Sequence, residues 1–426
     1  MGRTAVLVGC TALVLGLTGA SAQAHGRDLG REVLAAGDGW ASEGAGTTGG
    51  SAADSAHVYT VTTWEEFKAA LKDGGDAPKI IRVKGMIDAV SRGCDAFAAE
   101  GYDFEQYLAD YDPAVWGNDT PVSGEQEDLR DASADNQGRA IRVNVPSNTT
   151  IVGVGKGSGI LGGSLQVKGV DNVILRNLAV EAPIDCFPQW DPTDDNKTGA
   201  WNSEYDGVVV YGSTHVWLDH NTFTDGRYPD STLPSYFGKV FQQHDGLVDI
   251  VRGANYVTVS WNSFKDHDKT MLIGNSDSAA ATDAGKLKVT LHHNRFEGIV
   301  ERAPRVRFGQ VDSYNNHFVV TEDQKFGYVF GIGIESRLYA TDNAFSLPAG
   351  VSAARTLKKW KEAPLTAENN YVNGKLTDLI AVHNAEIPEE TLQSGAGWTP
   401  TLRTKVHSPQ AVPWIVDALA GADRLY

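Results

Sequence analysis

The amino-acid sequence predicts an all-β protein in which short strands wind into the successive coils of a solenoid. Three features of the 426-residue chain lead to this prediction: a recurring Asn-x-apolar unit, a shortest repeat of 22 residues, and strands with alternating apolar residues. A repeat of that length holds about three short strands with their turns, which is near the minimum for one coil. The longer repeats then correspond to the same coil with inserted loops.

The recurring unit consists of alternating apolar residues followed by Asn, any residue, and an aromatic or β-branched residue. It is clearest in HVWLDHNTF, YVTVSWNSF, KVTLHHNRF, VDSYNNHF and LYATDNAF, and weaker in VILRNLAV and ENNYV. Its asparagines follow one another at intervals of 44, 41, 32, 22, 27 and 27 residues; they are Asn177, Asn221, Asn262, Asn294, Asn316, Asn343 and Asn370. An asparagine at a fixed turn can adopt the left-handed conformation and hydrogen-bond to the next coil, so the repeat predicts an asparagine ladder. A β-sandwich with Asn-rich turns is the alternative, but a sandwich has no reason to repeat one unit seven times.

One segment ahead of the repeats, TTWEEFKAALKDG, has the pattern of a helix. Thr63 and Glu66 match a capping box, and Trp64, Phe67 and Leu71 fall on one face. Because the end of a solenoid exposes its core, we expect this helix to cover the N-terminal end.

Two long segments interrupt the repeats, from about residue 89 to 137 and from 185 to 202. Both are rich in Asp, Gly, Pro and aromatic residues. We expect them to be loops that form the walls of a binding cleft.

Residues 1–24 have the composition of a secretory signal peptide. Arg3 precedes an apolar run and small residues that allow cleavage after Ala22 or Ala24. The segment around Cys10 also resembles a lipoprotein cleavage box, although the apolar run continues past it. The expected location of the protein is therefore extracellular.

Residues 25–426 are expected to form a single domain after export. They contain two cysteines, Cys94 and Cys186. In an oxidising compartment a disulfide bond and two free thiols are both compatible with the sequence, which does not show whether the two residues are close.

The composition is that of a soluble globular protein, with a net charge of −17 from 54 acidic and 37 basic residues. Such an acidic chain is a poor partner for nucleic acid or anionic lipid. No segment after the signal is long and apolar enough to cross a membrane. An anionic polymer remains a candidate ligand wherever basic side chains gather, and a monomer is expected.

Three aspartates are candidates for a metal site. Asp245 and Asp249 lie four residues apart in QQHDGLVDI, and Asp206 in SEYDGVVV lies one coil earlier by the repeat. On a corner between strand and turn, such carboxylates can converge on one cation, and Ca²⁺ prefers several carboxylate oxygens. Solvated aspartates in turns are the alternative.

Basic side chains gather in two segments of this acidic chain. Lys269 lies in KDHDKTMLIGNSD, and VERAPRVRFG places Arg302, Arg305 and Arg307 within six positions. A guanidinium group suits the geometry of a carboxylate, so these residues are candidates for binding an acidic ligand. Ion pairs with scattered surface acids are the alternative.

Taken together, these motifs resemble the extracellular pectate lyases of polysaccharide lyase family 1. The resemblance rests on WNSEYDGVVVYGSTHVWLDHNTF, YFGKVFQQHDGLVDIVRGANYVTVSWNSF, DHDKTMLIGNSD and GKLKVTLHHNRFEGIVERAPRVRFGQVDSYNNHF, which run almost unbroken through residues 185–318. It implies a right-handed parallel β-helix with an asparagine ladder, and an acidic polysaccharide, pectate, as substrate.

The resemblance also implies a role for each candidate residue. The residues that hold the family's primary calcium fall on Asp206, Asp245 and Asp249, and its catalytic arginine falls on Arg302. Its substrate-binding lysine and second arginine fall on Lys269 and Arg307. The implied reaction is β-elimination from polygalacturonate, in which Arg302 takes the C5 proton. An arginine carries a proton at neutral pH, so a role as base requires a lower pKa. We expect the neighbouring cations, with calcium nearby, to lower the pKa of Arg302, and the activity to be highest at alkaline pH.

Three other functions are compatible with the same fold. A pectin lyase would be expected to lack the acidic trio, and a glycoside hydrolase would need a paired acid and base carboxylate. A β-helix that only binds polysaccharide has no reason to keep Arg302 beside two other carboxylate-binding cations. The function of Arg302 therefore distinguishes an enzyme from a binding module.

Overall fold

The computed structural model describes residues 28–425 of the chain. The predicted signal peptide, residues 1–24, lies outside the described residues. Within residues 28–425 no helix is both long and apolar enough to cross a membrane.

The described part of the chain is built mainly of strands. In chain order they are β1 (Val58–Val61), β2 (Lys79–Asp88), β3 (Arg142–Asn144), β4 (Thr149–Leu161), β5 (Ser164–Lys168), β6 (Asp171–Arg176), β7 (Ala179–Glu181), β8 (Gln189–Asp191), β9 (Ala200–Asn202), β10 (Val208–Tyr211), β11 (Thr214–Asp219), β12 (Thr222–Thr224), β13 (Ser235–Tyr236), β14 (Lys239–Val240), β15 (Val248–Val251), β16 (Asn255–Ser260), β17 (Ser263–Lys269), β18 (Leu272–Ile273), β19 (Lys288–His292), β20 (Arg295–Glu301), β21 (Arg305–Val306), β22 (Gln310–Tyr314), β23 (His317–Val319), β24 (Phe330–Ile332), β25 (Arg337–Thr341), β26 (Ala344–Ser346), β27 (Leu357–Lys359), β28 (Leu365–Glu368), β29 (Asn370–Val372) and β30 (Lys375–Thr377).

Helices are few and lie outside the coils. The α-helices are α1 (Trp64–Lys72), α2 (Phe104–Asp110), α3 (Pro113–Trp116), α4 (Glu125–Ile141), α5 (Asp194–Lys197), α6 (Ala280–Asp283), α7 (Leu379–Glu386) and α8 (Val412–Leu419). Short 3-10 helices occur at Leu29–Arg31, Trp40–Ser42, Ser55–His57, Cys94–Ala96, Asp230–Thr232, Ala353–Thr356 and Pro388–Glu390.

The strands stack in three parallel rows, and each coil contributes one strand to each row. Row 1 has the order β3-β5-β10-β15-β18-β21-β24-β27. Row 2 runs through β6-β11-β16-β19-β22-β25-β28, and row 3 through β7-β12-β17-β20-β23-β26-β29. The long strands β2 and β4 extend rows 2 and 3 at the N-terminal end. This arrangement is the parallel β-helix that the repeat and the resemblance predict.

The predicted asparagine ladder lies at the turn between rows 2 and 3. The side-chain oxygen of Asn262 accepts a hydrogen bond from the backbone nitrogen of Asn221 at 2.8 Å. The same bond joins Asn262 to Asn294 at 2.9 Å and continues coil by coil to Asn370. The left-handed conformation is usually found at the residue before each ladder asparagine, for example at His220 with φ 52°. The prediction that the ladder asparagines are themselves left-handed holds for Asn177, whose φ is 56°, and is wrong for the other six.

The interior of the coil is a continuous apolar core. Phenylalanines two positions after the ladder asparagines stack with ring centroids 4.7–5.0 Å apart, and these are Phe223, Phe264, Phe296, Phe318 and Phe345. This spacing equals the distance between neighbouring strands, so each coil adds one ring to the stack. The core therefore fixes the register of successive coils, and with it the alignment of side chains on the outside.

Helix α1 covers the N-terminal end of the core, as predicted. The side chain of Thr63 accepts a hydrogen bond from the backbone nitrogen of Glu66, and Trp64, Phe67 and Leu71 are buried. The Glu66 carboxylate accepts from the backbone nitrogen of Thr62 at 2.8 Å instead of that of Thr63. The return bond of the predicted capping box is thus displaced by one residue.

The prediction that residues 89 to 137 form a loop is wrong in part, because this segment contains α2, α3 and most of α4. Helix α4 has no apolar stripe, since its buried face includes Glu127, Arg130 and Gln137. Arg130 donates to both oxygens of Glu127 at 3.0 Å, and Gln137 donates to the carbonyl of Ile184 at 2.6 Å. A helix that packs through polar side chains in this way leaves no apolar periodicity in the sequence.

The two inserted segments are joined by a disulfide bond between Cys94 and Cys186, whose Cα atoms lie 5.4 Å apart. The bond closes a loop of 92 residues. Both segments leave the coil between row 3 and row 1, so the disulfide holds two walls of the same edge together.

Replacing Cys94 and Cys186 together with serine is expected to lower the thermal unfolding temperature. Cross-links of this kind stabilise a domain by about 2–4 kcal/mol, because they restrict the unfolded chain. Scanning calorimetry of the variant and of the unreduced wild type measures the difference. An unchanged unfolding temperature would contradict the expectation.

Candidate active site

The three predicted acidic residues lie on the edge of the β-helix where row 3 passes into row 1. Asp206 precedes β10, Asp245 precedes β15, and Asp249 lies within β15. Strands β10 and β15 are neighbours, and Val209 is the partner of Asp249. The repeat therefore places the three side chains together on adjacent coils, as the sequence predicts.

Two of the carboxylates converge over Gly246. A Cβ atom on this glycine would lie 2.5 Å from Oδ1 of Asp249 and 2.7 Å from Oδ1 of Asp206, so only glycine fits here. The backbone nitrogen of Gly246 donates to Oδ1 of Asp206 at 2.8 Å, and that of Leu272 donates to Oδ1 of Asp249 at 3.0 Å. These bonds fix the direction of both carboxylates and leave oxygen atoms for another partner.

The acidic trio is electrostatically unfavourable on its own. Burial raises the pKa of Asp206 well above its usual range, and the neighbouring Asp249 and Asp245 raise it further. Burial and Asp245 likewise raise the pKa of Asp249 to about 7. Each effect follows from placing like charges in a site with little water, and a bound cation would relieve it.

In the presence of a chelator we expect the thermal stability to fall as the pH rises from about 4 through 7. The folded state holds protons on Asp206 and Asp249 that the unfolded state releases at about pH 4, so folding is favoured less as these groups ionise. Thermal unfolding at several pH values measures this slope. Saturating calcium should flatten it, and equal slopes with and without calcium would contradict the interpretation.

The basic residues continue the same edge on the next two coils. Lys269 ends β17 and pairs in register with Glu301 at the end of β20, and Arg302 follows directly. The ammonium nitrogen of Lys269 lies 3.5 Å from Oδ1 of Asp245. Arg302 thus stands one coil beyond Lys269 and beside the acidic trio.

Arg302 is held in an unusual way. Its backbone is left-handed, with φ 63°, which is uncommon for a residue with a long side chain and typical of constrained functional positions. Its Nε donates to Oε1 of Glu301 at 2.9 Å. Among the described residues neither terminal nitrogen of Arg302 has a hydrogen-bond acceptor, so both are available to a ligand.

The prediction that neighbouring cations lower the pKa of Arg302 is wrong for the protein alone. Burial does lower the pKa of Arg302, but the carboxylate of Glu301 raises it, and Tyr328, Asp249 and Asp245 add to the increase. The net direction is upward. The sequence shows that Glu301 is adjacent, but it does not show that the two side chains pair.

Arg307 is more firmly paired than the sequence suggests. It donates from Nε to Asp277 at 2.6 Å and from Nη1 to the carbonyl of Gly274 at 2.9 Å. Lys361 lies 3.6 Å from the other oxygen of Asp277. The position of Arg307 near the edge agrees with ligand binding, but two of its five N–H donors already serve the fold.

One group at this edge was not predicted. Trp360 is 41% exposed, and the guanidinium carbon of Arg305 lies 4.0 Å from the centre of its ring. An exposed aromatic ring with a basic group suits a sugar carrying a carboxylate. The signal in the sequence is a tryptophan among lysines in RTLKKWKEAP, outside the repeat.

A tighter cluster of metal-binding groups lies close by. Asp225, Asp230 and His244 offer ligand atoms within 4.8 Å of one another, the one such group of His, Cys, Asp and Glu found among residues 28–425. The carboxylate oxygens of Asp206, Asp245 and Asp249 are further apart than this 4.8 Å limit. The trio is a candidate for binding a cation because its like charges converge and are half-buried.

The fold and this edge together define a class of protein, a parallel β-helix that presents acidic and basic side chains to a charged, extended ligand. The oxygen atoms of the trio suit a hard divalent cation, and the basic groups suit carboxylates. Three insertions enter at the same edge, residues 89–141, 182–207 and 225–247. The first two contain the segments that the sequence predicts as walls of a cleft, and the third was not predicted.

Comparisons with known proteins identify the family. The sequence model of the family described as pectate lyase matches residues 12–103 and 116–408. A pectate lyase of Bacillus subtilis (strain 168) is 44% identical over 97% of this chain and 98% of its own length. Pectate lyase E of Dickeya chrysanthemi is 42% identical over 74% of this chain and 68% of its own length. The chain belongs to the pectate lyase family and is a polysaccharide lyase.

Comparison with solved structures leads to the same family. A thermostable pectate lyase superposes with a TM-score of 0.90 at 43% identity, covering 94% of this chain and 100% of its own. A pectate lyase bound to a hexasaccharide superposes with a TM-score of 0.88 at 42% identity over the same shares. The predicted family and the predicted parallel β-helix are both confirmed.

Proposed function

We propose that this protein is a calcium-dependent pectate lyase that cleaves (1→4)-α-D-galacturonan by β-elimination and releases 4,5-unsaturated oligogalacturonides. The observation that carries the proposal is the single edge on which Asp206, Asp245 and Asp249 stand beside Lys269 and Arg302. Membership of the pectate lyase family supports galacturonan as the substrate. The similar structure with a bound hexasaccharide agrees with an extended sugar chain lying on a β-helix of this kind.

The acidic trio would hold the calcium ion. Its donors are oxygen atoms, which calcium prefers, and the carboxylates of Asp206 and Asp249 converge over Gly246. Bound there, calcium would supply positive charge that neutralises a galacturonate carboxylate and so acidifies the neighbouring C5–H.

Arg302 is the proposed base. In its neutral form it takes the C5 proton, the electron pair of that bond becomes the C4–C5 double bond, and the C4–O bond breaks with its electrons on oxygen. The leaving oxygen then takes a proton from solvent. The bond from Nε to Glu301 orients the guanidinium group of Arg302, and its terminal nitrogens, which have no acceptor among the described residues, are left for the substrate.

Lys269 and Arg307 are the proposed carboxylate-binding residues. The Lys269 ammonium group points to the trio, and its charge would help to hold a sugar carboxylate there. Arg307 lies on the following coil and keeps part of its guanidinium fork for the same purpose. We propose that residues 25–426 act as one domain, as a monomer, outside the cell after removal of residues 1–24.

Ultraviolet absorbance of polygalacturonate mixed with the mature protein tests the proposal. A rise that needs calcium and stops with chelator indicates elimination, because the new double bond is conjugated with the carboxylate. New reducing ends without a rise would mean hydrolysis instead. No cleavage of pectate or of methylated pectin would leave only binding.

Replacing Glu301 with glutamine is expected to move the pH–rate profile to lower pH by about one unit, because an adjacent carboxylate favours the charged guanidinium. The profile of kcat measures this shift. Glu297→Gln is the matched control, since Glu297 lies on the same strand and accepts from Arg295 at 2.9 Å. An alkaline shift, or equal shifts in both variants, would argue against Arg302 as the base.

A further inference from the structure

A second cluster of ligand-type side chains lies behind the proposed calcium site. Asp225 follows β12, Asp230 begins a short 3-10 helix in the same insertion, and His244 lies just before Asp245. None of the three belongs to the six residues predicted from the sequence. The insertion between β12 and β15 brings them together.

The donor atoms are already near the separations that a metal ion needs. Nδ1 of His244 lies 2.9 Å from Oδ1 of Asp230 and 3.9 Å from Oδ2 of Asp225. Two ligands of a tetrahedral zinc ion are separated by about 3.3 Å, given metal–ligand distances near 2.0–2.1 Å. The two observed distances lie on either side of this value, so shifts of about half an ångström bring His244 to it for each aspartate. The ligand atoms of Asp225 and Asp230 lie within 4.8 Å of each other.

An independent observation points to a missing partner. The side chain of Asp225 is 1% exposed, and its Oδ2 has no hydrogen-bond partner among the described residues. This oxygen is the one that faces His244. A buried carboxylate oxygen without a donor is costly, and natural structures seldom leave one so.

The rest of the cluster is held in place by further contacts. Nδ1 of His267 bonds the other oxygen of Asp225, and its Nε2 lies 2.7 Å from the backbone oxygen of Asp245. Nε2 of Gln242 lies 3.5 Å from Oδ2 of Asp230. Supporting contacts of this kind orient metal ligands in known sites.

We infer that Asp225, Asp230 and His244 form a second cation site, selective for a transition-metal ion such as Zn²⁺. An imidazole nitrogen with two carboxylates suits Zn²⁺ and similar ions, whereas Ca²⁺ prefers oxygen alone. Asp230 also lines a cavity of about 480 Å³, which gives an ion a path from solvent. The site does not depend on the proposed cleavage reaction, and it shares no ligand with the acidic trio.

Calorimetric titration of the full mature protein with Zn²⁺, in saturating calcium, tests the inference. We expect one zinc ion per chain, with affinity more than about tenfold weaker in Asp230→Asn and in His244→Gln. Asp230→Asn is the safer variant, because Asp230 is partly exposed. His215→Asn is the matched control, since Nδ1 of His215 also lies 2.9 Å from an aspartate oxygen, that of Asp171, but the described residues place no third ligand beside this pair.

A second readout identifies the coordinating atoms. Cobalt(II) added in place of zinc should give visible absorption typical of low coordination in the wild type, and Asp230→Asn should lose it. Wild-type zinc affinity in both site variants would overturn the inference. So would no zinc binding, or zinc binding that Asp206→Asn removes and Asp230→Asn keeps.

Discussion

Replacing Arg302 with alanine is expected to lower the turnover of polygalacturonate by about 10³-fold or more, which is the usual range for loss of a positioned base. Binding of calcium and of the polymer should change little. The acidic trio does not use Arg302 as a hydrogen-bond partner, and Lys269 and Arg307 remain to bind carboxylates. Initial rates of absorbance increase, with separate titrations of calcium and of an oligogalacturonide, measure the three effects.

Arg295 offers a matched control for this variant. It begins β20, the strand that Arg302 directly follows, and pairs with Glu297 at 2.8 Å, as Arg302 pairs with Glu301 at 2.9 Å. Arg295→Ala should retain most activity. Equal losses of binding and turnover in Arg302→Ala would show that Arg302 binds substrate and is not the base. Retained turnover would exclude it from the reaction.

The fold was predictable because its signal is local and repeated. Successive coils carry an asparagine at one turn, and in five of them a phenylalanine follows two positions later, so the ladder from Asn221 to Asn370 could be predicted from the repeat. Helix α4 was not predictable in the same way. Its buried face uses Glu127 and Arg130, which satisfy each other, and no apolar period marks it.

The position of the candidate site was also predictable, but its interactions were not. Stacked coils bring residues of successive repeats together, so Asp206 on one coil and Asp249 on the next become neighbours, although they are not register partners. Side-chain pairing depends on rotamers and burial that the repeat does not encode. The bond between Arg302 and Glu301, which reverses the expected shift of the arginine pKa, is one such case.

Insertions carry the least predictable part of the site. Asp225, Asp230 and His244 lie within or beside one insertion, at positions with no counterpart in the repeat. Their separation along the chain does not match a metal-binding motif. Only the path of the insertion, which returns to the edge before β15, brings them within reach of one ion.

Replacing Asp249 with asparagine is expected to weaken calcium binding by more than about 100-fold and to reduce turnover accordingly, since charged oxygen ligands set the affinity. The same change should raise the unfolding temperature in chelator by several degrees, because it removes a buried like charge while an amide oxygen can still accept from Leu272. Calcium titration and thermal unfolding in chelator measure the two effects.

This pair of opposite changes separates a functional carboxylate from a structural one. Replacing a residue that supports the fold lowers the stability of the protein. Replacing a cation ligand instead raises the stability of the protein when no cation is bound. Asp230→Asn serves as the control, because it should leave calcium affinity unchanged. A less stable Asp249→Asn protein in chelator would mean that Asp249 supports the fold, and the acidic trio would then lose its main argument as a calcium site.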